Sequence, residues 1–397
     1  MSRPASFSAR YDFLAPQRIV FGWGRRSEVG ALARTLGRRA FLVHGSRSLE
    51  RNGVIDAMVG ALGKEGVRAV VLGTATREPE VEDVDRLAAG LRNEEPREGD
   101  LVIAIGGGSA IDLAKAVCAM ATNRGSATVK DYLEGVGTGL QLEADPLPLF
   151  AIPTTAGTGS EATKNAVISS YSPPFKKSLR SDRMVPRIVL IDPELQTSVP
   201  PSTTAYTGMD AITQLIESYI SARAAPIPQA LCLQGLELAS GAIERAVRDG
   251  GDRAARERMA HAALLSGMAL ANSGLGLAHG VAAALGIHAK VAHGLACAVL
   301  LPVALRFNRD ARETEICRIG EILCEREFAS PAEGAAAAVE KVEEMCAAVG
   351  IPRRLGEIGV RRESLPAIVK SSYGNSMSGN PRKVSEEELS TLLETLL

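Results

Sequence analysis

The chain has 397 residues, enough for two domains or one large one, and its 45 Lys and Arg against 46 Asp and Glu leave a net charge of −1. Without a basic tract it has nothing to neutralise a phosphate backbone, so no nucleic-acid partner is expected. No apolar run reaches the roughly eighteen residues that a membrane span needs, and the first ten residues, Met-Ser-Arg-Pro-Ala-Ser-Phe-Ser-Ala-Arg, lack the apolar centre of a signal peptide; no membrane partner and a cytoplasmic location are expected.

The first half alternates strand and helix. Arg39–Val43 reads as a strand, Ser48–Glu65 as a helix, Val67–Leu72 as a strand, Val81–Arg92 as a helix and Leu101–Ile105 as a strand, an alternation that predicts a parallel sheet with helices on its faces. The last strand runs into Gly106-Gly107-Gly108-Ser109, and Ala110 to Met120 then reads as a helix. Glycines let backbone approach a ligand closely, and the first helical turn offers unpaired N–H groups and a positive dipole end, a seat for pyrophosphate. The spacing is neither that of the dinucleotide fingerprint nor that of the P-loop, so taken alone it is equally an ordinary strand-to-helix turn. A second apolar strand, Leu149–Ile152, leads into Pro153-Thr-Thr-Ala-Gly-Thr-Gly-Ser-Glu161. Hydroxyls at Thr154, Thr155, Thr158 and Ser160 among small residues form a polar, close-approach wall, which favours a ligand over a plain loop.

After the strand Arg187–Ile191, strand-like runs vanish beyond Pro200. Ala- and Leu-rich helices follow, including Gln229–Val247 and Arg253–Ala271, so the domains are expected at 1–197 (α/β) and 198–397 (all-α). Only five histidines exist, and two of them, His279-Gly280 and His293-Gly294, lie in small, apolar surroundings. One unbroken helix would hold them about 21 Å apart, but a break at Gly286 lets two helices bring them together. Asp210 and Gln214 stand one turn apart on another helix. A carboxylate and two imidazoles suit a divalent metal, so Asp210, His279 and His293 are candidate ligands and catalytic residues. Gln214 is a weak fourth ligand or a hydrogen-bond partner of one. An N-cap role for Asp210 and core roles for the histidines are the bland alternatives. The six cysteines, at 118, 232, 297, 317, 324 and 346, form no C-x-x-C pair and read as reduced core thiols.

These motifs resemble those of the iron-containing, or group III, alcohol dehydrogenases, which share the dehydroquinate synthase-like fold. They are Gly106-Gly-Gly-Ser109-x-x-Asp112-x-x-Lys115, Pro153 to Glu161, Gly208-x-Asp210-Ala, His279-Gly280 and His293-Gly294, and the likeness runs from Arg18 to Pro381. The resemblance implies an α/β nucleotide-binding domain, a helical domain, and hydride transfer between an alcohol and NAD(P) in the cleft between them. It further implies that Gly107, Gly108 and Ser109 hold the pyrophosphate, that Asp112 is a further cofactor-binding position, that Thr154, Thr155 and Thr158 line the cofactor, and that Lys177 reaches the ribose. Asp210, His279 and His293 fall on ligand positions for Fe2+ or Zn2+. A homodimer or larger assembly is implied too, and the apolar strand Arg18-Ile-Val-Phe-Gly22 is of the kind that pairs across a two-fold axis.

The chain departs from the common family pattern at Gln214 and Ala283, where histidines are usual, and at Val303 after Pro302. The first change puts the identity of the metal in question, and the second removes a proton relay for which His288 is a nearby substitute, although a surface position suits that histidine better. A glycerol-dehydrogenase-like or maleylacetate-reductase-like oxidoreductase is the alternative within the same class. A dehydroquinate-synthase-type lyase would need basic residues facing the metal, which the helical half does not cluster. A silent nucleotide-binding homologue would show no turnover. At the end of the strand Phe41–His44, Gly45 stands where NAD-preferring relatives carry an aspartate, and Ser46, Arg47 and Ser48 offer groups suited to a 2′-phosphate, so NADP is expected to be accepted.

Overall fold

A computed structural model of the chain describes residues 10–45 and 47–397. Strands β1 (Arg18–Phe21), β2 (Arg39–His44), β3 (Arg68–Thr74), β4 (Asp100–Gly106), β5 (Leu149–Pro153) and β8 (Ile188–Ile191) form one sheet in the order β1-β8-β5-β4-β2-β3, with every pairing parallel. β4 shows why its residues are apolar without interruption. Leu101, Ile103 and Ile105 enter the core on one face while Val102 and Ala104 enter the core on the other, so both sides of the strand are dry. Arg39 and Asp100 are register partners at the start of β2 and β4, and their side chains form a bidentate ion pair, with Arg39 Nε 3.0 Å from Asp100 Oδ1.

From β2 the chain moves outwards to β3, then returns to the other side of β2 as β4 and continues in the opposite direction to β5. The carboxyl ends of β2 and β4 therefore flank the crevice where the winding reverses, the place where open α/β sheets bind ligands. The glycine turn after β4 lies there. Gly45, just after β2, donates its N–H to Ile105 O at 2.7 Å.

The sequence did not separate an antiparallel hairpin, β6 (Asn165–Tyr171) with β7 (Pro174–Arg180), whose Lys176 reaches the helix that carries Gly286. Two expected helices are each divided in the structure. Ser48–Glu65 becomes Arg47–Arg51 and Val54–Lys64, with Gly53 at φ +70, and Gln229–Val247 becomes Pro226–Ala239 and Ala242–Arg248, with Gly241 at φ +66. A left-handed residue interrupts the hydrogen-bond ladder, and glycine adopts that backbone without strain.

Beyond Ile191 the described residues contain no further strand, and the first long helix is Pro201–Ile220. Its helices pack round one apolar core that includes Met209, Ile212, Leu215, Leu277, Val281 and Leu300. Arg253–Ala271 is a single helix, as the sequence indicates. The two halves meet at glycines that leave no room for a side chain. A Cβ on Gly267, in that helix, would stand 2.3 Å from Gly159 O, and one on Gly157 would stand 2.6 Å from Thr207 Cβ in the helix Pro201–Ile220.

Candidate active site

Asp210 lies in the middle of the helix Pro201–Ile220, so a capping role does not explain it. The helix carrying His279 runs Leu277–His288, through Gly286 rather than breaking there. The reversal comes after it, where Lys290 takes φ +55, and the next helix, His293–Asn308, begins at the second histidine. The expected meeting occurs by this other route. His279 Nε2 lies 3.2 Å and His293 Nε2 3.9 Å from Asp210 Oδ1, and the two imidazole rings sit edge to face with centroids 5.5 Å apart. Gly294 is what lets the second helix lie this close, since a Cβ there would stand 2.4 Å from Tyr206 O.

Two members of the site were not assigned from the sequence. Glu217 sits two turns after Asp210 on the same helix face, and its Oε2 accepts from His279 Nδ1 at 2.7 Å while its carboxylate also accepts from the N–H groups of Gly276 and Ala278. One carboxylate thus caps the helix Leu277–His288 and takes the Nδ1 side of the histidine, so Nε2 is the ring atom turned towards the cluster. The i, i+7 spacing from Asp210 was the available signal. The other is Cys297, read from the sequence as a core thiol. It lies one turn after His293, and its Sγ is 3.7 Å from His293 Nε2. Ligand atoms of Asp210, His279, His293 and Cys297 all fall within 4.8 Å of one another.

Gln214 keeps its place beside Asp210 but faces it with the wrong end for a ligand. Its amide nitrogen donates to Asp210 Oδ2 at 3.2 Å and its oxygen accepts from Ser266 Oγ at 2.7 Å. A carbonyl oxygen turned towards the carboxylate would be repelled, so the amide acts as a donor that orients Asp210.

The electrostatics are those of a cation site. Burial alone would raise the Asp210 carboxyl, but His279 and His293 outweigh it and hold the group below its usual range. Burial would lower His279, yet its hydrogen bonds to Asp210 and Glu217 outweigh it and raise the imidazole well above its ordinary value, so positive charge is favoured between the two carboxylates. Burial pushes His293 down to about 4 and the Cys297 thiol up to about 12. His293 is therefore neutral near pH 7, the form in which imidazole ligates. An oxygen, two imidazole nitrogens and a sulfur converging on one point, with an acidic residue behind one imidazole, fit a divalent transition metal. Exposure shows which side of the cluster is open: the His293 side chain is 26% exposed, against 4% for His279 and 2% for Asp210.

The cofactor candidates form one wall. The helix Gly108–Thr122 starts directly after Gly107, so its first-turn amides open on the crevice together with Ser109. A Cβ on Gly107 would stand 3.2 Å from Thr155 Oγ1, and one on Gly108 would stand 2.5 Å from Thr158 Oγ1, so the glycine turn and the hydroxyl loop are in contact. Thr154 is tied to the same turn by its N–H, 2.9 Å from Gly106 O. Asp112, the remaining cofactor-binding candidate of this segment, turns inwards. It is buried behind the wall, and its Oδ2 accepts from Val167 N–H at 3.0 Å, while the neighbouring Lys115 donates to Thr163 Oγ1 at 2.7 Å and Asn165 O at 3.0 Å. Both side chains pin the hydroxyl loop and β6 to the helix.

Of the two adjacent lysines on β7, Lys176 rather than Lys177 turns towards the metal-type cluster, because neighbouring strand residues face opposite sides. Lys176 Nζ is 2.7 Å from Glu78 Oε1 and 3.8 Å from where a Cβ on Gly286 would stand, and the charges of Lys176 and Glu78 both act on His293. His288 is outside the cluster, its Nε2 held 2.7 Å from Ser371 Oγ. Arg47 is exposed at the start of its short helix beyond β2, and Ser46 lies outside the described residues.

A crevice at the switch point of a parallel sheet, walled by glycine and hydroxyls and facing a carboxylate-imidazole cluster in a helical domain, defines a nucleotide-linked oxidoreductase with a metal-type centre. The family model described as iron-containing alcohol dehydrogenase matches residues 16–193, and that for the C-terminal part of the same family matches residues 204–397, so the chain belongs to the iron-containing alcohol dehydrogenase family. It is an alcohol and aldehyde oxidoreductase. Long-chain-alcohol dehydrogenase 1 of Geobacillus thermodenitrificans (strain NG80-2) is 34% identical over 95% of this chain and 96% of that protein. The NAD-dependent methanol dehydrogenase of Bacillus methanolicus is 31% identical over 97% and 100%. A crystal structure of 1,3-propanediol oxidoreductase superposes with a TM-score of 0.91 at 32% identity, covering 98% of this chain and all of the other. No helix among the described residues is long and apolar enough to cross a membrane.

Loss of the Glu217 charge is expected to act through His279. In Glu217→Gln the helix cap survives in part, but the imidazole loses its anionic partner, and metal affinity should fall by about 10–100-fold, the usual cost of removing such a partner. Metal titration beside a melting curve checks this: unchanged affinity would show that Glu217 serves only as a cap.

Proposed function

We propose that the chain catalyses NAD(P)-linked interconversion of a small alcohol and its aldehyde or ketone in the cleft between an α/β domain (1–197) and a helical domain (198–397). The observation that carries this reading is the convergence of Asp210 Oδ1, His279 Nε2 and His293 Nε2 opposite the wall formed by Gly107, Gly108, Ser109, Thr155 and Thr158. Asp210, His279 and His293 would hold the divalent ion, which when bound supplies Lewis acidity at the substrate oxygen, while the nicotinamide supplies or takes the hydride. The residues of the chain do the positioning. The first-turn amides and hydroxyls fix the cofactor phosphates, Gln214 and Glu217 orient Asp210 and His279, and the partly exposed His293 with the Lys176–Glu78 pair marks the side from which substrate enters. With Ala283 carrying no ionisable group, the alcohol proton would leave through water or cofactor hydroxyls. The relatives are named for long-chain alcohols, methanol and 1,3-propanediol, so family membership leaves a wide range of alcohols open.

Mixing the protein and reduced nicotinamide with a panel of aldehydes and ketones, before and after chelation, tests the reading. Cofactor oxidation that chelation stops and a divalent ion restores is expected. Absence of turnover across the panel would favour a silent nucleotide-binding homologue.

The groups after β2 support NADP as an accepted cofactor, read by Arg47. Arg47→Ala should raise KM for NADPH by roughly tenfold, the value of one lost charge-assisted contact, and leave KM for NADH nearly unchanged. Equal changes for both cofactors would show that Arg47 does not read the phosphate. β1 pairs with β8 on one side only and forms the sheet edge, with Ile19 exposed, which supports a homodimer built on that edge. A monomeric mass by light scattering at micromolar concentration would contradict it.

A further inference from the structure

Three side chains account for the expected ligand set, and the fourth position is the open question, because Gln214 stands where the family's usual histidine would be. Its amide oxygen is occupied by Ser266 and its nitrogen by Asp210 Oδ2. The donor that does converge on the cluster comes from another helix. Cys297 Sγ approaches His293 Nε2 at 3.7 Å, and Cys297 is fully buried in a setting where it otherwise has only apolar neighbours on its helix. The separations have the right size for one shared ion. Metal bonds of about 2.0–2.1 Å to nitrogen or oxygen and about 2.3 Å to sulfur, meeting at a tetrahedral angle, set donor atoms ~3.3–3.6 Å apart. The separations here are 3.2 Å from Asp210 to His279, 3.9 Å from Asp210 to His293, and 3.7 Å from His293 to Cys297.

We infer that Cys297 is the fourth metal ligand of this chain, replacing the missing side-chain donor at Gln214 and making the centre an Asp-His-His-Cys site. The inference rests on the metal reading proposed above. On binding, the thiol gives its proton to solvent and the thiolate gives an electron pair to the ion, with no change of oxidation state. Thiolate is a soft ligand, and one sulfur with two imidazoles and a carboxylate selects zinc over iron at a four-coordinate site. With four donors from the chain, a substrate oxygen would enter as a fifth neighbour of the ion, a coordination number that zinc sometimes reaches. Gln214 then keeps the outer task that its hydrogen bonds describe, holding the second oxygen of Asp210.

X-ray absorption at the zinc edge, on the full chain loaded with one equivalent of Zn2+, tests the assignment without reference to activity. The expected first shell is one sulfur at about 2.3 Å and three nitrogen or oxygen neighbours at about 2.0–2.1 Å. Cys297→Ser should lose the sulfur neighbour and weaken zinc binding by at least the roughly 10–100-fold that loss of an outer partner costs, whereas Gln214→Ala should keep the sulfur. A bound zinc whose shell in the wild-type chain holds only nitrogen and oxygen overturns the role of Cys297 and leaves the three-ligand reading intact. Full turnover in a chain that takes up no divalent ion overturns both.

Discussion

Asp210→Ala is expected to lower kcat/KM by about a thousandfold, equivalent to about 4 kcal/mol of lost transition-state stabilisation. Asp210 is the one atom set shared by the whole cluster. Its Oδ1 is within 3.9 Å of both imidazole nitrogens and its Oδ2 accepts from Gln214, so its removal takes away the one carboxylate that touches both imidazoles and with it an oxygen donor of the cluster. The fold should survive, because His279 keeps its bond to Glu217 and the helix Pro201–Ile220 prefers alanine to aspartate in its interior. Steady-state kinetics with metal analysis on the same preparation decides the matter. A variant with normal kcat would remove Asp210 from the mechanism, and retained metal with lost activity would move its role from ligand to substrate contact.

Gly267→Ala should destabilise the protein by about 2–3 kcal/mol, although in an exposed helix the same change stabilises by about 0.5–1 kcal/mol. The new Cβ would meet Gly159 O at 2.3 Å and Gly159 Cα at 2.8 Å, and these are backbone atoms that cannot rotate away. Gly159 is itself held at φ +60 at the end of the hydroxyl loop, so relief would have to come from parting the helix Arg253–Ala271 from that loop. Activity should fall along with stability, since Gly157 of the same loop packs on Thr207, one turn before Asp210, and any parting displaces the cofactor wall relative to the cluster. Gly60→Ala is the matched comparison. Gly60 lies in the helix Val54–Lys64 with nothing within 4 Å of its Cβ position, and its replacement should raise the denaturation midpoint. If the two substitutions shift the midpoint equally, close domain contact at Gly267 is not a source of stability.

Much of this architecture was legible in the chain. Continuous apolar runs at Leu101–Ile105 and Leu149–Ile152, each ending in small or hydroxylic residues, specify buried parallel strands that open on a ligand crevice, because a strand wetted on neither face has no need of alternating polar residues. The His-Gly pairs at 279 and 293 and the carboxylate at 210 were visible as a ligand-type set, since so few histidines in apolar surroundings have few other uses. What marked Glu217 and Cys297 as partners was not local. A glutamate two turns along a helix and a cysteine among alanines and leucines have ordinary explanations until the folded chain brings His279 beside one and His293 beside the other. The same holds for Lys176, whose strand face is set by the pairing of β7 with β6, and for Gln214, whose usefulness depends on which end of its amide Ser266 engages. Side-chain type and spacing are properties of the sequence, and they determined the class of chemistry. Direction and partnership arise only when elements far apart in the chain pack, and here that packing alone decided which atoms converge on a single point.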